Sequence, residues 1–241
     1  MKKPFQVIYE DNHLIIVNKA AGVIVHADKT GDKTLEDYVK EYIKEKYNKP
    51  GDVFLGTVHR LDRPVSGLII FARTSKGLER MNKLFKKRDI QKTYWAVTKR
   101  KPEKKKGKLT HYLVKDHERN VVTAHDFPVE NAKKAELNYR YLGTINKYHL
   151  LEIEPITGRP HQIRVQLASM GCPIKGDIKY GFDRPNKDAS INLHSRRVYF
   201  IHPIKNEPVL CRAALPEDPF WEEFLTLDYE NIKDETMKFL H

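Results

Sequence analysis

Short segments with the composition of β-strands follow one another through much of this chain without helices between them. Parallel strands need a crossover connection, usually a helix, whereas antiparallel strands need only a turn. The sequence therefore predicts an α+β fold with a mixed, largely antiparallel sheet and flanking helices, and it argues against a doubly wound fold. The longest uninterrupted series comprises Leu109–Val114, Asn120–Ala124, Ala135–Leu142 and His149–Ile153.

Local patterns predict the remaining elements. Apolar residues recur at helical spacing after Thr34, which forms a capping-box pattern with Asp37, and a second helix is predicted with Ser75 as its cap. A third helix is predicted over Gln162–Met170, closed by Gly171. Further strands are predicted at Phe5–Tyr9, Leu14–Val17, Gly67–Phe71, Thr93–Thr98, Asn192–Ile201 and Pro208–Ala214.

The composition is that of one globular body. With 241 residues, 40% of them hydrophobic and 32% charged, the chain can bury a large core without a disulfide or a metal. Cys172 and Cys211 belong to no Cys/His cluster, which points to a reducing compartment and away from a structural zinc site. The sequence contains neither a secretory leader nor a membrane-spanning apolar stretch, so we expect a cytoplasmic protein that does not bind membranes.

Positive charge is unevenly distributed. The net charge is +12, but residues 217–241 hold eight acidic residues against two lysines, so residues 1–216 carry +18. We expect the acidic segment 217–241 to form a helix that begins near Pro219. The segment Lys99–Lys108 holds seven basic residues and predicts an exposed hairpin loop. Such a field is typical of proteins that bind nucleic acid, although solubility alone explains it about equally well.

The segment His59–Phe71 contains the first candidate for chemistry. Asp62 stands between Arg60 and Arg63, just ahead of a predicted strand. Arginine neighbours keep a carboxylate ionised, which is the state that a nucleophile or an ion-pair partner requires. Taken in isolation, this pattern is more often a simple ion pair at the entrance to a strand.

The segment Gly158–Gly181 contains the second candidate. Arg159, His161 and Arg164 cluster where a Gly-Arg-Pro turn enters a helix. Backbone N–H groups and cationic side chains then point the same way, which suits a phosphate. Arg164 could instead pair with Asp62 in a buried site. A structural histidine and two surface arginines explain the segment equally simply when it is taken alone.

The segment Gln91–Val97 adds two aromatic residues. Tyr94 and Trp95 are adjacent in a predicted strand, so their side chains point to opposite faces of the sheet. One is expected in the core, and the other can face a cleft, where a ring can stack on an extruded base. The segments Leu193–Ser195 and His202–Glu207 show a strand-and-turn pattern that indicates no chemistry.

These segments, in this order and at these separations, resemble the RluA family of RNA pseudouridine synthases. The resemblance extends from Val7–Asp11 to His202-Pro203, and its most specific parts are the HRLD and GRPHQIR blocks with the Gly176–Gly181 segment. It implies the pseudouridine synthase catalytic fold. It also implies an enzyme that isomerises specific uridines in tRNA or rRNA to pseudouridine with no cofactor and no metal.

The resemblance assigns roles to individual residues. Asp62 matches the family's catalytic aspartate, which acts on C1′ of a flipped uridine, either directly or by promoting glycal formation. Tyr94 matches the tyrosine that stacks on the target base, and Arg164 matches the basic residue that pairs with the aspartate. The remaining matches concern substrate binding: Arg60, which helps to fill the space left by the flipped base, Ile163 in an apolar wall, His161 and Lys19.

We expect a single catalytic domain over residues 1–241, without a separate amino-terminal RNA-binding domain, acting on RNA as a monomer. Recognition of the target then rests on this body and on the loop Lys99–Lys108. Two other classes stay open. A catalytically inactive RNA-binding or ribosome-assembly protein would make Asp62 dispensable. A nucleoside or glycoside hydrolase would need a paired acid near Asp62 or a cluster of metal-binding aspartates, and the sequence offers neither.

Overall fold

The computed structural model describes residues 3–27 and 31–227. Within these residues no helix is both long and apolar enough to span a lipid bilayer. The strands are β1 Phe5–Glu10, β2 Leu14–Lys19, β3 Gly56–Thr57, β4 Ser66–Ala72, β5 Gln91–Thr98, β6 Lys106–Asp116, β7 Val121–His125, β8 Lys133–Ile145, β9 Tyr148–Pro155, β10 Leu193–Ile201 and β11 Pro208–Arg212. The α-helices are α1 Leu35–Lys46, α2 Ser75–Lys87, α3 Gln162–Ser169 and α4 Pro219–Glu222, and 3-10 helices cover Ile178–Tyr180 and Glu223–Leu225.

The strands of the described residues join into one sheet. Its order is β1-β2-β4-β10-β5-β9-β8-β6-β7, with β11 paired to β10 and β3 paired to β4. Among these pairings only the one between β4 and β10 is parallel, and the others are antiparallel. The predicted α+β class with a mixed, largely antiparallel sheet is confirmed.

The parallel contact at the centre of the sheet depends on a glycine. Gly67 of β4 pairs with Ser195 of β10 and has a φ of +113°. A Cβ atom at this position would lie 2.4 Å from the backbone N and O atoms of Ser195, so only glycine permits the two backbones to approach this closely. The segment 58–65, which contains Asp62, enters β4 immediately before this point. The close approach therefore fixes where that segment leaves the sheet.

The predicted helices form, and one of them has a different cap. The capping box of Thr34 and Asp37 is present at the start of α1, and Gly171 follows α3 with a φ of +78°. At α2 the cap is Thr74, whose side chain accepts a hydrogen bond from the first turn, and Ser75 is the first helical residue. The prediction of Ser75 as the cap was wrong by one residue, because either hydroxyl side chain can cap a helix and the sequence placed both at its start.

The basic segment Lys99–Lys108 is exposed for most of its length but is not a hairpin loop. β5 ends at Thr98 and β6 begins at Lys106, and β9 and β8 lie between these two strands in the sheet. The segment therefore passes across the ends of two strands instead of turning between neighbours. The hairpin prediction was wrong because β5 pairs with the distant strands β9 and β10, which no local pattern reveals.

The carboxy-terminal helix begins at Pro219, as predicted, and continues as a 3-10 helix from Glu223. Trp221 and Phe224 are buried and pack in one cluster with Trp95 of β5. This cluster closes one face of the sheet, and it accounts for one of the two adjacent aromatic residues of β5. The remainder of the acidic segment, from residue 228 onward, lies outside the described residues.

Candidate active site

An open cleft of about 1400 Å³ lies at one end of β5. Its lining includes residues 58–65 ahead of β4, residues 90–94 of the α2–β5 region and residues 154–164 leading into α3. Lys19 does not line the cleft. The structure brings six of the seven predicted site residues together here: Arg60, Asp62, Tyr94, His161, Ile163 and Arg164.

Asp62 and Arg164 form an ion pair across the cleft. Arg164 Nη1 donates to Asp62 Oδ2 at 3.0 Å, although the two residues are 102 positions apart in the chain. The Asp62 side chain is 28% exposed, whereas that of Arg164 is 6% exposed. The Asp62 carboxylate is therefore partly accessible from the cleft, whereas its cationic partner Arg164 is buried. This contact supports the buried-pair interpretation of Arg164 over the phosphate-binding one.

A second carboxylate, Asp177, holds the other edge of the guanidinium group. Arg164 Nε and Nη2 donate to its two oxygens at 2.7 and 2.8 Å, and the Asp177 side chain is 1% exposed. Such a bidentate pair fixes the guanidinium plane, so that Nη1 is directed at Asp62. Burial alone would lower the pKa of Arg164, but the hydrogen bonds and charges of Asp177 and Asp62 raise it overall. Sequence reasoning recorded Asp177 only as part of a motif and assigned it no role.

Tyr94 presents an almost fully buried ring to the cleft, on the opposite face of β5 from Trp95. Its side chain belongs to the main core cluster, which also contains Ile163, and the residue is 8% exposed. Burial raises the pKa of Tyr94 to about 12, and the charge of Asp62 adds to this increase. The hydroxyl group therefore stays protonated at neutral pH. A rigid, neutral ring beside a carboxylate is suited to stack on a planar base.

His161 lies near Asp62 but does not replace Arg164 as its partner. It is the N-cap residue of α3, and its backbone has a left-handed conformation with a φ of +51°. Its Nδ1 lies 2.7 Å from the Tyr180 hydroxyl oxygen. Its Nε2 is 3.9 Å from Asp62 Oδ2. Burial lowers the pKa of His161, and the nearby Arg164 lowers it further despite the opposing effect of Asp62. The imidazole is therefore neutral at neutral pH, and the positive charge beside Asp62 is that of Arg164.

Arg60 and Ile163 lie at different depths of the cleft. Arg60 is exposed, and Ile163 is a buried apolar residue of the lining.

His59, between β3 and Arg60, has a structural contact that sequence reasoning missed: its Nε2 accepts a hydrogen bond from Ile70 N at 2.9 Å. Burial lowers the pKa of His59 to about 3, so the ring stays neutral and keeps this acceptor. His59 thereby ties the segment that carries Asp62 to β4.

Lys19 lies beneath the segment that carries Asp62 and is 1% exposed. Its Nζ donates to the carbonyl oxygens of Ala20 at 2.9 Å, Val23 at 2.8 Å and Arg63 at 3.3 Å. Burial lowers the pKa of Lys19 to about 7, an effect that the charge of Asp62 opposes. Through these contacts Lys19 joins the turn after β2 to Arg63, the residue that follows Asp62. Its geometry is therefore that of a residue that positions the segment carrying Asp62.

Lys19→Met is expected to lower the free energy of unfolding by about 1–3 kcal/mol, because it leaves buried carbonyl groups without their donor. Urea denaturation followed by fluorescence measures this change. The matched control is Lys83→Met, since Lys83 is 65% exposed and pairs with Glu79 on the surface of α2. The control is expected to change stability by less than about 0.5 kcal/mol. Equal stabilities for the two variants would contradict the positioning role of Lys19.

A family model described as RNA pseudouridylate synthase matches residues 13–169 of this chain, which contain Asp62, Tyr94 and Arg164. The chain belongs to the RNA pseudouridylate synthase family. The resemblance deduced from the sequence is thereby confirmed, and with it an isomerase that acts on RNA.

Several curated members of the family are similar over most of the chain. A protein of Salmonella typhi named tRNA pseudouridine synthase C is 32% identical over 92% of this chain and 88% of its own length. A protein of Rickettsia bellii named ribosomal large subunit pseudouridine synthase C is 33% identical over 87% of this chain and 68% of its own length. Relatives with two different kinds of RNA in their names are therefore about equally similar to this chain.

Solved structures support the fold. The human RNA pseudouridylate synthase domain containing 4 superposes with a TM-score of 0.75 at 24% identity, and it covers 92% of each chain. Human RNA pseudouridylate synthase domain containing 1 gives a TM-score of 0.69 at 23% identity, over 89% of this chain and 85% of that one. The predicted pseudouridine synthase catalytic fold is confirmed.

Proposed function

We propose that this chain isomerises specific uridines in tRNA or rRNA to pseudouridine in the cytoplasm, with Asp62 as the catalytic residue. The observation that carries the proposal is the ion pair in the cleft: an accessible carboxylate is held by a buried arginine that Asp177 orients. Tyr94 lies on the same cleft as the stacking surface. We further propose that the protein acts as a monomer.

The reaction fits these groups chemically. Cleavage of the bond between C1′ and N1 develops positive charge on the ribose, and an ionised carboxylate beside C1′ stabilises that charge. The detached uracil rotates and forms a new bond from C5 to C1′. The proton on C5 is then lost and N1 gains one, so the reaction needs no oxidant or reductant. Asp62 acts in the first step either on C1′ itself or by promoting a glycal, and both routes require it to be ionised.

The pocket walls retain the uracil between bond cleavage and bond formation. A ring such as Tyr94 holds the base by stacking, and the apolar side chain of Ile163 limits access of water. Since the chemistry takes place at the sugar and at C5 of the base, the nucleotide has to leave the stack of the RNA first. We assign to Arg60, which is exposed at the cleft, the role of occupying the space that the nucleotide leaves.

The choice between tRNA and rRNA is tested in cells. We expect total RNA from cells that lack the gene to miss pseudouridine at one or a few defined positions, and expression of the intact gene to restore them. Chemical mapping of pseudouridine in separated tRNA and rRNA fractions identifies these positions. Identical maps with and without the gene would contradict the proposal and would favour an inactive RNA-binding protein.

Isomerisation is expected to proceed unchanged in EDTA. The reaction is redox-neutral, and we assign the stabilisation of its developing positive charge to Asp62, which Arg164 holds in place. The measurement is the rate of release of tritium from 5-tritiated uridine in a short unstructured RNA, with and without chelator, so that effects of magnesium on RNA folding do not contribute. A loss of rate on chelation that zinc or magnesium restores would contradict this expectation.

A further inference from the structure

One side of the cleft is formed by cations that the proposed chemistry does not use. Lys86 and Arg88 lie at the end of α2, Lys92 lies in β5, and all three line the cleft. We call these three residues the α2 rim. Lys86 and Arg88 are exposed, whereas Lys92 is partly buried. None of the three forms an ion pair with a carboxylate of the described residues, in contrast to Arg63, which pairs with Asp32 at 2.7 Å.

Lys92 is the most constrained member of the α2 rim. Its Nζ lies 5.6 Å from the centre of the Phe85 ring, and the same ring is stacked on that of His59 with a centroid distance of 5.0 Å. Burial lowers the pKa of Lys92, and the lysine in turn lowers that of His59. A partly buried cation without an anion is costly, so the site is incomplete in the protein alone. A phosphate would supply the missing charge.

The basic segment Lys99–Lys108 begins at the opposite end of β5 from Lys92, and the seven residues between Lys92 and Lys99 span about 23 Å. Its last residue, Lys108, pairs across β6 and β8 with Asn138, which lines another side of the cleft. Part of the segment's charge is also engaged elsewhere. Lys99 pairs with Asp183 at 2.8 Å, and Lys108 pairs with Glu136 at 2.7 Å. The position of the charge therefore favours the α2 rim over the basic segment as a contact for a strand whose nucleotide enters the cleft.

We propose that the α2 rim binds the phosphates of the RNA strand next to the target uridine, with Lys92 holding the phosphate nearest the cleft. This inference rests on the proposed function, because it takes RNA as the ligand. The proposed ligand is a phosphodiester chain. The α2 rim interacts with the negative charge of this chain and does not distinguish its base sequence. The basic segment, despite its larger number of lysines, then contributes little to binding at the target site.

The test compares matched removals of charge. Binding of a short target RNA is measured by fluorescence anisotropy at several salt concentrations, in an Asp62→Asn background so that no RNA is turned over. The variants are Lys92→Gln, the double variant Lys86→Gln/Arg88→Gln and, as the control, the double variant Lys104→Gln/Lys105→Gln in the basic segment. Each phosphate contact that is lost lowers the slope of log K against log salt by about 0.7–0.9.

We expect Lys92→Gln to lower the slope by about one contact, the rim double variant by about two, and the control by none. Lys92→Arg keeps the charge and is expected to keep the slope. If Lys92→Gln fails to fold, the rim double variant still tests the proposal, because both residues that it changes are exposed. A wild-type slope in the rim double variant, or an equal loss in the control, would overturn the proposal. Binding is measured without catalysis, so a failure of the proposed isomerisation shows separately in tritium release.

Discussion

Asp62→Asn is expected to abolish formation of pseudouridine while RNA affinity stays within a few fold of that of the unchanged chain. The amide keeps the shape of the side chain but loses the charge that acts at C1′ of the ribose. Its carbonyl oxygen can still accept a hydrogen bond from Arg164, and the bidentate pair of Arg164 with Asp177 is untouched. The change therefore removes the reacting group without removing its support. Rates are measured by tritium release and affinities by anisotropy.

The matched control for this variant is Glu154→Gln. Glu154 also lines the cleft and is exposed, so its replacement removes one negative charge from the same surface. We expect the control to retain turnover, which separates the loss of a particular carboxylate from a general change in the field of the cleft. Near-normal turnover of Asp62→Asn would exclude Asp62 as the catalytic residue and would favour the inactive RNA-binding alternative.

Arg164→Met is expected to affect both stability and catalysis. It leaves Asp177, which is 1% exposed, as an unpaired buried charge, and this type of change lowers the free energy of unfolding by about 3–5 kcal/mol. It also removes the group that orients Asp62, so we expect kcat to fall much further than RNA affinity. Urea denaturation, kcat and Kd are measured on the same preparation of the variant.

A double variant separates the two effects of this substitution. In Arg164→Met/Asp177→Leu no buried charge is left unpaired, and replacement of a buried ion pair by apolar residues of similar size is often neutral for stability. We expect the double variant to recover most of the stability that Arg164→Met loses and to remain inactive, because Asp62 still has no partner. Recovery of activity together with stability would contradict a positioning role for Arg164.

The elements that the sequence predicts well are those defined by short-range chemistry. The capping box at Thr34 and the apolar run of β4 depend on residues a few positions apart. The hairpin expected at Lys99–Lys108 failed because strand order is decided by distant pairings, such as that of Tyr94 with Ile153. The parallel pairing of Gly67 with Ser195 is another contact between strands that are distant in the sequence. No local pattern records which strands meet.

The residues of the candidate site also fall into two groups, those that a sequence motif predicts and those whose role only the structure reveals. Asp62, Tyr94 and Arg164 were found because each stands in a recognisable motif, and the structure places all three on one cleft. Asp177 was missed as a partner because its role depends on the position of Arg164 between Asp177 and Asp62, and Asp62 is 102 positions from Arg164 in the chain. Lys92 was missed because its partial burial, without an ion pair to any of the residues that the structure describes, is visible only in three dimensions.

The most direct test of the central claim uses the purified protein and RNA that contains 5-tritiated uridine, isolated from cells that lack the gene. Isomerisation breaks the bond from C5 to hydrogen, so each pseudouridine formed releases one tritium. We predict release that reaches a plateau at a small whole number of sites per RNA molecule, with no change in the mass of the unlabelled RNA. An absence of release from both the tRNA and the rRNA fractions, with the protein folded and bound to RNA, would contradict the claim.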